Sequence, residues 1–407
     1  MQIPRDLSGR MLQAADRVPI VDVYERLIPE SRRVGQRVDF IAWWMAHAAK
    51  EMGGLGLCAE DAALLGNVEA NPDERWKVLA AYWPFVRTTA SGRLALRMAW
   101  ELAGVENIDQ RTWKDVSAYL WQEAEPGFYR ARLQERAGIE RVLTVGGIDG
   151  QMRERFLPIW NVDRRLSIDR RPALEGWAKE LDYPITLTRD LLDDLMAESL
   201  DQQMANGCAA AKIGALPEPG VPSEEEVVWA LGRISGRDAP PFSREPALEQ
   251  YLLHRLLVSL AERDLPLQVH VQTERQVDRL RQLLVQYPQV RFLGVCTAGV
   301  GVEALSALGR SFANLYVALV GLWQLEPHVV RQTLQRLLCF VPACKILAAG
   351  GDLVMIEAVC VQALMIREQV ALALAEMTVE GTLDEGDAAL IMRRVLYQNA
   401  VEYFGFG

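Results

Sequence analysis

Short runs of consecutive apolar, often β-branched residues recur along this chain. Between them, apolar positions repeat at three- and four-residue spacing. The first run, VPIVDVYERL (18–27), predicts a strand covered on both faces. Seven more follow: RVLTVGG (141–147), FLPIWNVD (156–163), GCAAAKIG (207–214), LPLQVHV (265–271), VRFLGVC (290–296), NLYVALV (314–320) and KILAAGG (345–351). Helical spacing fills 245–263, 274–286, 301–311 and 325–338, and two long helices are predicted over 353–378 and 384–403. From Val38 to Ala137 the pattern is helical and rich in aromatics (Trp43, Trp44, Trp76, Tyr82, Trp83, Trp100, Trp113). Gly53-Gly54, Pro72, Pro84 and Gly92 mark its joints.

Buried strands alternating with helices predict a parallel sheet, and eight of them predict a (β/α)8 TIM barrel of the α/β class. The competing architecture is an open doubly wound sheet. Its dinucleotide-binding version would need Gly-x-Gly-x-x-Gly after the first strand, and none is there. The expected organisation is a barrel of residues 1–37 and 138–407 carrying an all-helical insertion or lid, 38–137. The stretches LPEPGVPSEEE (216–226) and SGRDAPPFSREP (235–246) read as exposed loops after the fourth strand, placed to join the rim of the active face.

Composition narrows the partners. Among 407 residues, 44 are basic and 54 acidic, a net charge of −10. That acidic excess argues against nucleic acid or an anionic membrane surface. No apolar run reaches the roughly 18 residues of a membrane span, and the polar opening MQIPRDLSGR lacks a signal-peptide core. The six cysteines (Cys58, Cys208, Cys296, Cys339, Cys344, Cys360) are dispersed without a Cys-x-x-Cys pair, so reduced thiols and a cytoplasmic setting are expected. Histidine is scarce: His47, His254, His270 and His328.

Five stretches, taken in order, resemble the amidohydrolase superfamily of metal-dependent hydrolases, especially its uronate-isomerase-like branch. VPIVDVYERL resembles an opening strand that ends in Asp and then His-x-His. LPLQVHVQTE resembles a fifth strand ending in His, and YPQVRFLGVCTAG a sixth strand that also ends in His. VPACKILAAGGD resembles an eighth strand ending in Gly-Gly-Asp or Gly-Ser-Asp. LIMRRVLYQNAVEYFGF resembles the closing helix, and a helical insertion with Glu74-Arg75-Trp76 suits the same branch. The resemblance implies active residues at the C-terminal ends of strands, as barrels generally have. It puts Tyr24 and Arg26 at the His-x-His positions, Lys212 at a fourth-strand lysine that some relatives carboxylate, His270 at the fifth strand, Cys296 at the sixth and Asp352 at the eighth. Arg26 cannot lose its proton and would repel a divalent cation.

The resemblance thus implies a catalytic set of Asp352, His270 and Lys212, with Arg26, Tyr24 and Cys296 binding substrate. No metal is expected. The alternative is one divalent ion (Zn, Mn or Fe) on His270, Cys296 and Asp352, three ligands and an open position. His47, His254 and His328 sit singly on helices and read as packing or capping residues. Of them His47 has the stronger claim to more, because the insertion could cover the barrel mouth. Two roles stay open for Arg26: holding a small anionic or carboxylated ligand, or pairing with Asp352 in the space a metal would fill. Glu25, by strand alternation, points to the helix layer. Cys296 with His270 as nucleophile and base, and acid–base work by His270 and Asp352, are further alternatives. Two functions compete: a catalytically degenerate pseudoenzyme, or an active hydrolase, decarboxylase or isomerase on a small carboxylated substrate. Homo-oligomerisation is compatible with either.

Overall fold

A computed structural model describes residues 3–122, 125–149, 152–235, 245–297, 301–323 and 325–406. All eight expected strands form: β1 (Ile20–Glu25), β2 (Ile139–Thr144), β3 (Phe156–Asn161), β4 (Ala210–Ile213), β5 (Leu267–Val271), β6 (Phe292–Thr297), β7 (Leu315–Val320) and β8 (Ile346–Leu347). They lie in one sheet in the order β1 to β8, with parallel pairing and helices between, the (β/α)8 TIM-barrel fold. The helices used below are, in chain order, α1 (Arg5–Asp16), α2 (Phe40–Gly54), α3 (Pro72–Val86), α4 (Ala90–Ala103), α5 (Glu274–Gln286) and α6 (Ile356–Val379). Of the loop expected over 235–246, residues 236–244 lie outside the described residues.

The chain divides into two compact units. One comprises residues 1–156, 320–338 and 348–401; the other comprises 157–319, 339–347 and 402–407. Residues 38–137 fall wholly within the first. Their aromatic stripe is core: Trp43, Trp44, Trp76, Trp83 and Trp113 are buried, Trp44 meets Trp83 edge-on, and Trp76 stacks on Trp113 at 5.5 Å. Arg75, of the Glu-Arg-Trp stretch, is fully buried. It donates to the Leu65 carbonyl and to Asp39, the residue that caps α2.

In the same unit β1 closes on the segment that follows β8. The Val23 amide donates to Ala349 O, the Gly351 and Asp352 amides both donate to Tyr24 O, and the Arg26 amide donates to Leu353 O. Against β2, β1 carries one extra residue: Asp22 opposes Val142 while Glu25 opposes Thr144. This bulge breaks strand alternation.

Helix α6 departs from the expectation that no segment is long and apolar enough to cross a membrane. By length and composition it is, but 83% of its most apolar 18-residue window is buried. Its polar residues are partnered there: Glu357 pairs with the buried Arg33 at 2.8 Å. The helix expected over 384–403 is two helices joined by a π-turn at Arg394–Gln398, where Val395 O accepts the Ala348 amide.

Arg367 on α6 replaces a carboxylate partner with carbonyls. Its guanidinium donates to Ala15, Val18, Ala137 and Gly138, joining the end of α1 to the starts of β1 and β2. Gly138 has φ +56, and a Cβ there would meet Arg367 Nη2 at 2.6 Å. Burial lowers the Arg367 pKa to about 10, so it stays charged at neutral pH. Arg367→Met would remove the guanidinium donors from all four carbonyls, of which Ala15 O keeps the Val18 amide and Gly138 O the Ile20 amide. We expect a loss of about 2–4 kcal/mol in urea unfolding; a change below about 0.5 kcal/mol would refute this role.

Candidate functional site

The first unit gathers Tyr24, Arg26 and Asp352. Arg26 Nε lies 2.5 Å from Asp352 Oδ1, and its Nη2 donates to the Asp352 carbonyl at 2.9 Å. The pair is not buried. The two side chains are 49% and 42% exposed, so the contact is worth about 0–1 kcal/mol rather than the several that a buried pair would carry. Arg26 and Asp352 pair, as expected for the second of its two roles, but in contact with water rather than as a buried pair. Asp352 has φ +59, a left-handed conformation uncommon outside glycine. The two amides on Tyr24 O hold it there, as does Glu25 Oε2, which accepts the Leu353 amide.

Glu25 turns toward the helix layer, as alternation predicts, and is fully buried against Gln362 of α6. A Cβ on Gly351 would fall 2.4 Å from Gln362 Nε2 and 2.5 Å from Glu25 Oε1, so only glycine fits. The β1 bulge adds what alternation conceals: Asp22 and Glu25, three residues apart, share a hydrogen bond. Burial, and then Asp22, raises the Glu25 pKa well above the ordinary carboxyl range, and burial lifts Asp22 to about 7. The pair therefore retains a proton near neutral pH.

His47, from α2, belongs with this group. Its Nδ1 lies 2.9 Å from Trp43 O, so Nδ1 carries the proton. Nε2 is then an acceptor, shielded from solvent, with no hydrogen bond among the described residues. Burial, opposed by the Trp43 contact and reinforced by the charge of Arg26, lowers its pKa to about 4. The only sequence signal was its place in the insertion.

The second unit gathers Lys212, His270 and one residue the sequence reading missed. Lys212 Nζ donates to Asp163 Oδ2 at 3.1 Å, and Asp163 Oδ1 accepts the Gly214 amide at 2.7 Å. A Cβ on Gly214 would lie 2.9 Å from both Asp163 Oδ2 and Lys212 Nζ, so glycine lets β4 end against this ion pair. Asp163 directly follows the β3 run FLPIWNV, a strand-end position that could have flagged it. Asp163 and Gly214 also line a cleft of ≈450 Å³ with Gln272, Gln276 and Arg279. His270 is buried; burial, then the charge of Lys212, lowers its pKa to about 3.

Cys296 is a correction. Its register partner on β5 is Val271, while His270 pairs with Val295. Register partners in a parallel pair share a face and neighbours along a strand alternate, so Cys296 and His270 face opposite sides. Cys296 belongs to the apolar cluster of Ala211, Ile213, Val269, Val271 and Leu305. It faces the helix layer, away from the strand-end chemistry. The proposed His270–Cys296 nucleophile pair and the alternative ligand set His270, Cys296 and Asp352 lose their geometric basis.

No family model and no curated protein matches the sequence significantly. Solved structures do match. A uronate isomerase from Thermotoga maritima aligns with TM-score 0.79 at 16% identity, over 99% of this chain and 98% of that one. The chain has the uronate-isomerase fold. A glucuronate isomerase from Caulobacter crescentus matches as well (TM-score 0.79, 16% identity, 99% and 96% covered). So does a uronate isomerase from Bacillus halodurans (TM-score 0.72, 13%, 100% and 97%). These structures belong to the amidohydrolase superfamily, whose relatives include metal-dependent hydrolases. Arg26 occupies the carboxylate of Asp352, and no group of three or more His, Cys, Asp or Glu among the described residues could hold an ion.

The Asp22–Glu25 pair has a pH consequence. A carboxyl raised in the folded state stabilises below the unfolded pKa of about 4 and loses that contribution as pH rises through its folded value. For Asp22 the window runs from about pH 4 to about 7. Asp22→Asn should remove this slope, so that the variant gains on wild type by up to about 1.4 kcal/mol per pH unit across the window. Denaturant melts from pH 4 to 8 measure it, and a pH-independent difference between the two proteins would exclude the shared proton.

Proposed function

We propose that this protein is a catalytically degenerate relative of the metal-dependent hydrolases and uronate isomerases, which binds a small carboxylated ligand at the C-terminal end of β1 through Arg26. The observation that carries the reading is the Arg26–Asp352 contact: a fixed guanidinium stands on the carboxylate that would otherwise be free to ligate a cation. Because that pair is half exposed and weak, an incoming carboxylate can displace Asp352 at little cost and take the bidentate face of Arg26. His47 Nε2 supplies an acceptor for a ligand hydroxyl.

The acid–base inventory supports binding over turnover. Imidazoles with pKa values near 4 (His47) and 3 (His270) are weak bases at neutral pH, and Lys212 is engaged by Asp163. The competing reading, an isomerase, hydrolase or decarboxylase with a metal-free site, would need one of these groups to be retuned by its substrate. A cytoplasmic setting and self-association into homo-oligomers remain part of the proposal.

Glucuronate is the test ligand. Calorimetry should show saturable binding that weakens at least about tenfold in Arg26→Gln, the loss of one bidentate contact, without conversion of the sugar. Protein purified without chelator should carry zinc, manganese and iron well below one per chain. Stoichiometric metal that disappears in Asp352→Ala, or turnover of glucuronate, would overturn the reading.

A further inference from the structure

A second cleft in the first unit, ≈550 Å³ in volume, lies between α4, α6 and the segment after β7. Arg87, Arg93, Arg97, Trp100, Trp323 and Glu368 line it. It shares no residue with the Arg26–Asp352 group. Its volume is that of a small-ligand site.

The cations there are unevenly matched. Arg97 is neutralised twice, by Glu101 at 2.9 Å and Glu368 at 3.1 Å. Among the described residues, the side-chain hydrogen bond of Arg87 goes to the amide oxygen of Asn107, at 3.0 Å. Arg93 Nε is shielded from water and makes no hydrogen bond among the described residues. Glu326 is near enough to feel the charge of Arg93, yet neither Arg87 nor Arg93 has a carboxylate within ion-pair distance among the described residues. Trp100 is 51% exposed, while the other tryptophans of this helical stretch, except Trp121, are buried.

Local backbone geometry brings the chain at Arg87 close to the start of α4, which carries Arg93. A Cβ on Gly92 would lie 2.1 Å from Val86 O and 2.6 Å from the Arg87 Cα, so glycine alone lets the end of α3 fold onto α4. Thr89 closes the turn by donating its hydroxyl to Val86 O at 2.7 Å. Arg87 therefore sits one short turn from Arg93.

We infer that this cleft binds a planar phosphate-bearing ligand, a nucleoside monophosphate in class: Arg87 and Arg93 take the phosphate and Trp100 stacks on the base. Guanidiniums match phosphate oxygens in pairs, and an exposed indole beside them is a platform for a flat ring.

The probes are AMP and inorganic phosphate, titrated calorimetrically into the full chain. AMP should bind saturably, more tightly than phosphate. Arg87→Gln with Arg93→Gln should weaken both at least about tenfold, with an unchanged unfolding midpoint. Trp100→Ala should weaken AMP toward the affinity of phosphate. Arg26→Gln should leave AMP binding as it is, which separates this site from the one proposed for glucuronate. Should the double variant fail to fold, Arg87→Glu alone, at a partly buried position, must still abolish AMP binding. Absent binding of AMP to wild type, binding that survives loss of both arginines, or equal affinities for AMP and phosphate that ignore Trp100 would each overturn the inference.

Discussion

The candidate site of the first unit hangs on the closure of β1 against residues 349–354. Two amides converge on Tyr24 O, the Arg26 amide reaches Leu353 O, and Glu25 Oε2 takes the Leu353 amide. This ladder forces Asp352 into its left-handed conformation and delivers its carboxylate to Arg26. Such a conformation costs about 1–3 kcal/mol and persists only where the surroundings over-determine it. Here four main-chain and side-chain bonds do so, whereas the exposed Arg26–Asp352 pair adds little energy of its own. The ion pair is thus a consequence of the backbone closure.

The same closure explains the buried carboxylates. A bulge in β1 brings Asp22 and Glu25 to one side, where Glu25 lies beside Gln362. Two carboxyls in a water-free space cannot both ionise cheaply, so they hold a proton and can serve as one donor and one acceptor. Gly351 leaves room for Glu25 and Gln362. Charge at the exposed strand end and protonation in the layer beneath are therefore separate: Arg26 and Asp352 face water, while Asp22 and Glu25 do not.

In the second unit the chemistry reduces to a lysine–aspartate pair beside a neutral imidazole. Register decides its membership. His270 and Cys296 are adjacent in strand order and close in any alignment of motifs, yet a one-residue offset sends them to opposite faces. A motif read along the chain carries no such offset, since register is set by pairing with another strand.

Hydrophobic patterning along the chain specified the eight strands and the helical stretch between the first two, and residue identity placed Tyr24 and Arg26 at the end of the first strand. Hydrophobic periodicity encodes burial, and residue identity encodes which groups can ligate or titrate. The sequence also pointed to Arg26 as the partner of Asp352 and to Glu25 as facing the helices. The rest came from contacts between elements: the exposure of that pair, the Asp22–Glu25 contact, the Asp163–Lys212 pair, the shielding of His47 and the outward turn of Cys296. Each depends on a bulge, a register or a contact between residues far apart in the chain. Such features arise from packing among elements, which local pattern does not record.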